Sequence, residues 1–144
     1  MKACLMNQIN PDSLPLNAKG RFAPPPKLEG PAGRVASEIA SWPNVISAAH
    51  WRLGRPGVVD GADFYVGEQE LGHIHLDGEV HLATSLELRK TLLAKKHARP
   101  FPYYASWVEA SIETEAEADH ALWLFRLNYT RLMGGDVGAV LREK

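Results

Sequence analysis

The chain has 144 residues, 45% of them hydrophobic and 23% charged, and a formal charge of −1. That length suits one domain with one core, and the near-neutral charge gives no footprint for nucleic acid or an anionic membrane surface. The single cysteine, Cys4, excludes an internal disulfide and a thiolate pair for a metal, and no apolar run approaches the roughly 18 residues of a membrane span.

Taken in chain order, residues 1–30 hold half of the ten prolines, including Pro24, Pro25 and Pro26, and no hydrophobic period. They read as an extended or disordered Pro-rich arm. The opening residues break their apolar run at Asn7 and Gln8, too early for a secretory signal, so a soluble, cytoplasmic protein is expected. A single domain is expected over residues 31–144. Val35, Ile39 and Trp42 recur at helical spacing until Pro43 ends the pattern. The period then changes to two. Val45 to Leu53 alternate as a half-buried strand, residues 62–66 as a second, and residues 70–75 and 79–84 as a hairpin. Thr84 and Glu87 have the spacing of a capping box opening a second helix. Pro100 and Pro102 forbid helix in the next loop, and residues 107–112 form one more strand. Thr114 and Glu117 repeat the capping-box spacing before Ala118, Ala121, Leu122, Phe125, Tyr129 and Leu132, and Gly134-Gly135 stops that last helix. The residues after it read as a tail that frays. Short links between consecutive strands imply an antiparallel meander with three helices packed mainly on one face, an α+β fold.

Three of the six histidines lie between residues 73 and 81, around Asp77-Gly78. A two-residue turn would mix apolar and polar side chains on both faces of that hairpin. A three-residue loop, Leu76-Asp77-Gly78, pairs His73 with His81 and separates Ile74, Val80 and Leu82 from His73, His75, Glu79 and His81. Register follows that separation, so the second arrangement is expected. Phe64 and Val66 belong with the core, which puts Asp63 and Tyr65 on the histidine face. His50 and Arg52 join them if the first strand lies alongside. A sheet covered on one side leaves its other face in water, and hydration is the ordinary fate of such residues. A small-molecule or catalytic site is the competing reading, because each of these groups can move a proton.

Metal is a third reading. Gly67, His73, His75 and Glu79 match most of the first cupin motif. Leu86, however, replaces that motif's last glycine, and the downstream histidines, His97 and His120, fall at a helix end and inside a helix. An all-β barrel does not fit three helices, so no residue is assigned as a metal ligand, and a transition metal held in some other way stays open. There is no phosphate-binding glycine loop and no nucleophile motif.

The run Glu70-Leu71-Gly72-His73-Ile74-His75, a turn, His81-Leu82, an amphipathic helix, a Pro-containing loop, Trp107 and a final helix with Asn128-Tyr129 resembles the luciferase-domain family over about residues 32–133. That family includes the fungal luciferases, which oxidise a hydroxylated α-pyrone with O₂ and no assigned flavin or metal. The resemblance implies that His73, His75 and His81 are catalytic, taking the proton of an acidic enol and holding its anion, with O₂ as co-substrate and no cofactor. Asp63, Tyr65, Glu79, His50 and Arg52 are the expected substrate-binding residues, and a small molecule the expected partner. A non-catalytic binding or protein-interaction module is the alternative. The fungal enzymes have a hydrophobic N-terminal segment where this chain has its Pro-rich arm.

Overall fold

The computed structural model describes residues 14–144. The first part of the expected arm, residues 1–13, lies outside the described residues. Helix α1 (Gly30–Ala40) opens with Pro31 in its first turn, where a missing N–H costs nothing, and buries Ala32, Val35 and Ile39. Strands β1 (Val45–Trp51), β2 (Val59–Val66), β3 (Gln69–His75) and β4 (Glu79–Leu82) follow as a meander. Helix α2 (Leu86–Ala94), the two-residue β5 (Arg99–Pro100), β6 (Val108–Ser111), helix α3 (Glu115–Leu132) and helix α4 (Val137–Leu141) complete the chain. The fold is α+β, as expected. All pairings in the six-stranded sheet are antiparallel, in the order β1-β2-β3-β4-β6-β5.

One face of the sheet makes the core. Phe64, Leu71, Ile74, Val80, Leu82 and Val108 meet Val35 and Ile39 of α1 and Leu124 and Phe125 of α3, and the Phe64 and Phe125 rings stand edge to face at 6.0 Å. Each such side chain contributes about 1.5–3 kcal/mol when buried. A one-residue slip of any strand would expose its whole set, so the register is strongly specified. The β3–β4 hairpin adopts the expected one: His73 pairs with His81 and Ile74 with Val80. Gly78 takes φ +90° in the loop and donates its N–H to His75 O, a left-handed position that favours glycine.

Three local expectations are corrected. Ser85, not Thr84, caps α2, accepting from Leu88 N. Thr84 is buried and its hydroxyl donates to Ser106 O, a partner far along the chain that spacing cannot reveal. The last helix does have its capping box, Thr114 with Glu117. Beyond Gly134, residues 137–141 form a fourth helix instead of fraying. Val140 is buried there and its carbonyl accepts from Trp123 Nε1 at 3.0 Å. Finally, the packed structure starts upstream of Pro31. Residues 15–22 form turns, Ala49 N donates to Ala23 O at 3.0 Å, and Leu28 joins the core. This segment gives part of β1's outer edge a hydrogen-bond partner, which an uncovered strand would lack. No helix among the described residues is long and apolar enough to cross a membrane.

Candidate functional site

The sheet face opposite the helices carries two cross-strand rows. His50, Gly61 and His75 lie side by side on β1, β2 and β3. In the neighbouring row Asp63, His73, His81, Glu109 and Arg99 run across β2, β3, β4, β6 and β5. Gly61 has no side chain to separate its neighbours, so the His50 and His75 rings meet across it at 5.0 Å. Side chains directly opposite or diagonal on antiparallel strands come within contact distance, and here that brings four imidazoles together.

Two irregularities add carboxylates that strict alternation would send elsewhere. Between β1 and β2 the register shifts at His50/Trp51, leaving Asp60 without a partner position. Between β2 and β3 it shifts at Phe64/Tyr65, and Leu71 is the extra residue. An extra residue in one strand reverses the inward and outward sense beyond it. Glu70, three residues before His73 and of the wrong parity for a regular strand, therefore reaches His73 Nδ1 at 2.8 Å. Asp60 reaches His75 Nδ1 at 3.0 Å. Gly72 makes the second bulge possible, since a Cβ there would lie 2.7 Å from His81 O and 3.0 Å from the Phe125 ring.

Each histidine thus turns one ring nitrogen to a carboxyl group, and His73, His75 and His81 turn the other inward. His50 Nδ1 lies 2.8 Å from Asp63 Oδ1, whose partner oxygen accepts from Tyr65 OH at 3.0 Å. His81 Nε2 lies 3.6 Å from Glu109 Oε2, longer than a direct hydrogen bond. Inward, His81 Nδ1 is 3.0 Å from His73 Nε2 and 3.1 Å from His75 Nε2. The His50 ring stacks on His73 at 3.8 Å. His73 is 6% exposed and Asp63 1%, so this is no hydrated face.

Burial governs the electrostatics. It holds His50, His73 and His75 below the ordinary histidine range, His73 farthest, and the neighbouring imidazoles add to the shift at His73. His81 is pushed down to about 3, by burial first and then by His75 and His50. The four rings are neutral at physiological pH. The same burial pushes the Asp63 carboxyl well above its usual range and, more modestly, that of Glu109.

The cluster floors a cavity of about 370 Å³ whose walls include Trp51, Phe101, Tyr104 and Trp107. Phe101 packs 4.4 Å from the His81 ring, and Trp107 lies 5.9 Å from His73. One side chain fixes this aromatic wall: Arg89 Nη1 donates to the carbonyls of Phe101, Tyr104 and Trp107 at 3.4, 3.2 and 2.9 Å. Hydrogen bonds from a charged group are worth about 1.5–3 kcal/mol. Arg89→Met is expected to lower urea-unfolding stability by about that amount and to weaken the near-ultraviolet circular dichroism of the aromatics. An unchanged aromatic spectrum would show that the wall does not depend on Arg89.

Comparison with known proteins bears on this architecture. Residues 68–128 match the Luciferase domain family model. Over that segment the chain is similar to the luciferase domain. No curated protein and no solved structure matched it. The luciferase-domain match spans Glu70, His73, His75, His81, Phe101, Tyr104, Trp107 and Asn128. It leaves out β1 and β2, which bring His50, Asp60 and Asp63 to the same site.

Of the residues singled out in the sequence, His73, His75, His81, His50, Asp63 and Arg52 line the cavity. Tyr65 shares the face but is fully buried beneath it, bonded to Asp63 and overlaid by Arg21 at 4.9 Å. Glu79 stands on the histidine face beside His81 and Glu109 but outside the cavity, held by Arg99 at 3.0 Å and Ser111 at 2.9 Å. Sequence reasoning missed Asp60, Glu70, Glu109 and the roles of Trp51, Phe101 and Trp107. A glycine inside a strand, Gly72, was the available sign of a bulge.

Proposed function

We propose that the cavity binds a small aromatic or enolic molecule and ionises its acidic hydroxyl at the histidine floor, as the first step of oxygenase-like or acid/base chemistry. The observation that carries this reading is the convergence of four neutral imidazoles at the bottom of an aromatic-walled cavity. A flat apolar body fits between Trp51, Phe101 and Tyr104, and its hydroxyl meets imidazole lone pairs. The anion left behind faces Lys19, Arg52 and Arg55, all of which line the same cavity. Such an enolate is electron-rich enough to react with O₂, and the luciferase-domain match over residues 68–128 agrees with that direction.

p-Nitrophenol tests the proposal because its absorbance reports ionisation directly. In a mildly acidic buffer that keeps the free phenol protonated, wild-type protein should develop the phenolate band at saturating stoichiometry. Tyr104→Ala should weaken binding, and His75→Ala should abolish the band. Binding without ionisation would reduce the cavity to a non-catalytic binding module, and no saturable binding of this probe or of a hydroxylated α-pyrone would sink the reading.

A further inference from the structure

The inner nitrogens of the cluster have a proton-counting problem. His73 Nδ1 and His75 Nδ1 face the carboxylates of Glu70 and Asp60 at 2.8 and 3.0 Å. A carboxylate only accepts, so both Nδ1 atoms carry hydrogen and both Nε2 atoms present lone pairs. Both lone pairs point at His81 Nδ1, which has at most one hydrogen to offer the two. A cation at the shared point would satisfy every nitrogen at once.

The geometry is that of a ligand set. Two nitrogens bound about 2.1 Å from one ion, at angles between right and tetrahedral, lie about 3.0–3.4 Å apart. The two separations from His81 Nδ1, to His73 Nε2 and His75 Nε2, are 3.0 and 3.1 Å. The three rings stand steeply to one another, at 78°, 83° and 73°, as imidazoles do around a common centre. A ring nitrogen of His50 lies within 4.8 Å of those of His73 and His75. Carboxyl groups behind the outward nitrogens are the usual support of metal-bound histidine, fixing tautomer and orientation. They also bring negative charge to a site whose imidazoles bring none. The acidic trio at Glu79, His81 and Glu109 is a poorer candidate, because Arg99 already supplies its cation, 3.0 Å from Glu79 and 3.7 Å from Glu109.

We propose that the inner ring nitrogens of His73, His75 and His81, with His50 as a fourth ligand, bind one divalent first-row transition-metal ion whose open side faces the cavity. Imidazole sets suit zinc, iron, copper and nickel. The inference rests on the cavity being a ligand site and changes what the hydroxyl meets there. Its oxygen coordinates the ion and its proton leaves to solvent, because a bound cation makes a coordinated O–H more acidic.

Cobalt(II) is the probe, since its visible d–d bands report coordination. Chelator-stripped full-length protein should bind one equivalent, develop the strong bands of a four- or five-coordinate ion and gain thermal stability, and zinc should displace the cobalt. His75→Ala should abolish the bands. Asp60→Asn and Glu70→Gln, which keep the side-chain shapes, should lower cobalt affinity about 10- to 100-fold. Failure to bind a stoichiometric ion, or wild-type affinity in His75→Ala with its fold intact by circular dichroism, would overturn the inference. If stripped protein still ionises p-nitrophenol while no metal binds, the ligand site stands and the metal falls. If cobalt binds and the phenol does not, the reverse holds.

Discussion

Chelator-stripped protein should hold its stability above about pH 6.5 and lose it steadily as the pH falls below that value. The four clustered histidines all have folded-state pKa values below the ordinary one, chiefly through burial. Between the two values the unfolded chain binds protons that the folded chain refuses. Stability therefore rises with pH across that interval and is level above it. For His81 the interval runs from the ordinary value down to about 3, and the whole cluster amounts to several kcal/mol at its acid end. Asp63 and Glu109 oppose this, since carboxyl groups raised by burial stabilise the fold at low pH and lose that contribution as pH rises. They are two groups against four, and Glu70 and Asp60 hold the His73 and His75 rings from outside. Urea unfolding at a series of pH values measures the slope. A flat profile through the mildly acidic range would mean the rings are not buried in the neutral form.

Gly72→Ala should cost about 1–3 kcal/mol, the usual range for forcing an extra carbon into a packed interior. The new Cβ would meet His81 O at 2.7 Å and the Phe125 ring at 3.0 Å, so β3 must move away from β4 or from α3. The same bulge is held from the helix side by Asn128. This fully buried residue donates to Leu71 O at 2.8 Å and Ala83 O at 3.1 Å and accepts from Arg131 Nε at 2.9 Å. Asn128→Leu keeps the branched skeleton but strips those partners, a loss of about 1–3 kcal/mol. Because the bulge aims Glu70 at His73, both variants should also perturb the His73 ring, read as a shifted imidazole resonance in NMR spectra. Loss of stability with an unmoved His73 signal would make the bulge a packing feature alone.

Much of this site was legible from residue order. The hairpin register followed from a single constraint, that Ile74, Val80 and Leu82 share one side, and it delivered the facing of His73, His75 and His81. Asp63 and His50 followed from the same alternation carried to the neighbouring strands. The carboxylates behind the rings did not follow, because each lies at or beyond an irregularity that breaks the two-residue period. The aromatic wall was equally hidden, since its loop is shaped by Arg89 reaching across 12 to 18 positions of chain.

Residue order alone carried the α+β class, the order of the main strands and helices, and the face on which three histidines would stand. These depend on periodicity and turn chemistry, which act over a few residues. Folding alone revealed that this face is largely buried, that each imidazole has a carboxyl group behind it, and that the four rings converge under aromatic side chains. Those features depend on two bulges and on a loop and an N-terminal segment folding back over the sheet. They arise from contacts between parts of the chain far apart in sequence, and no local period records them.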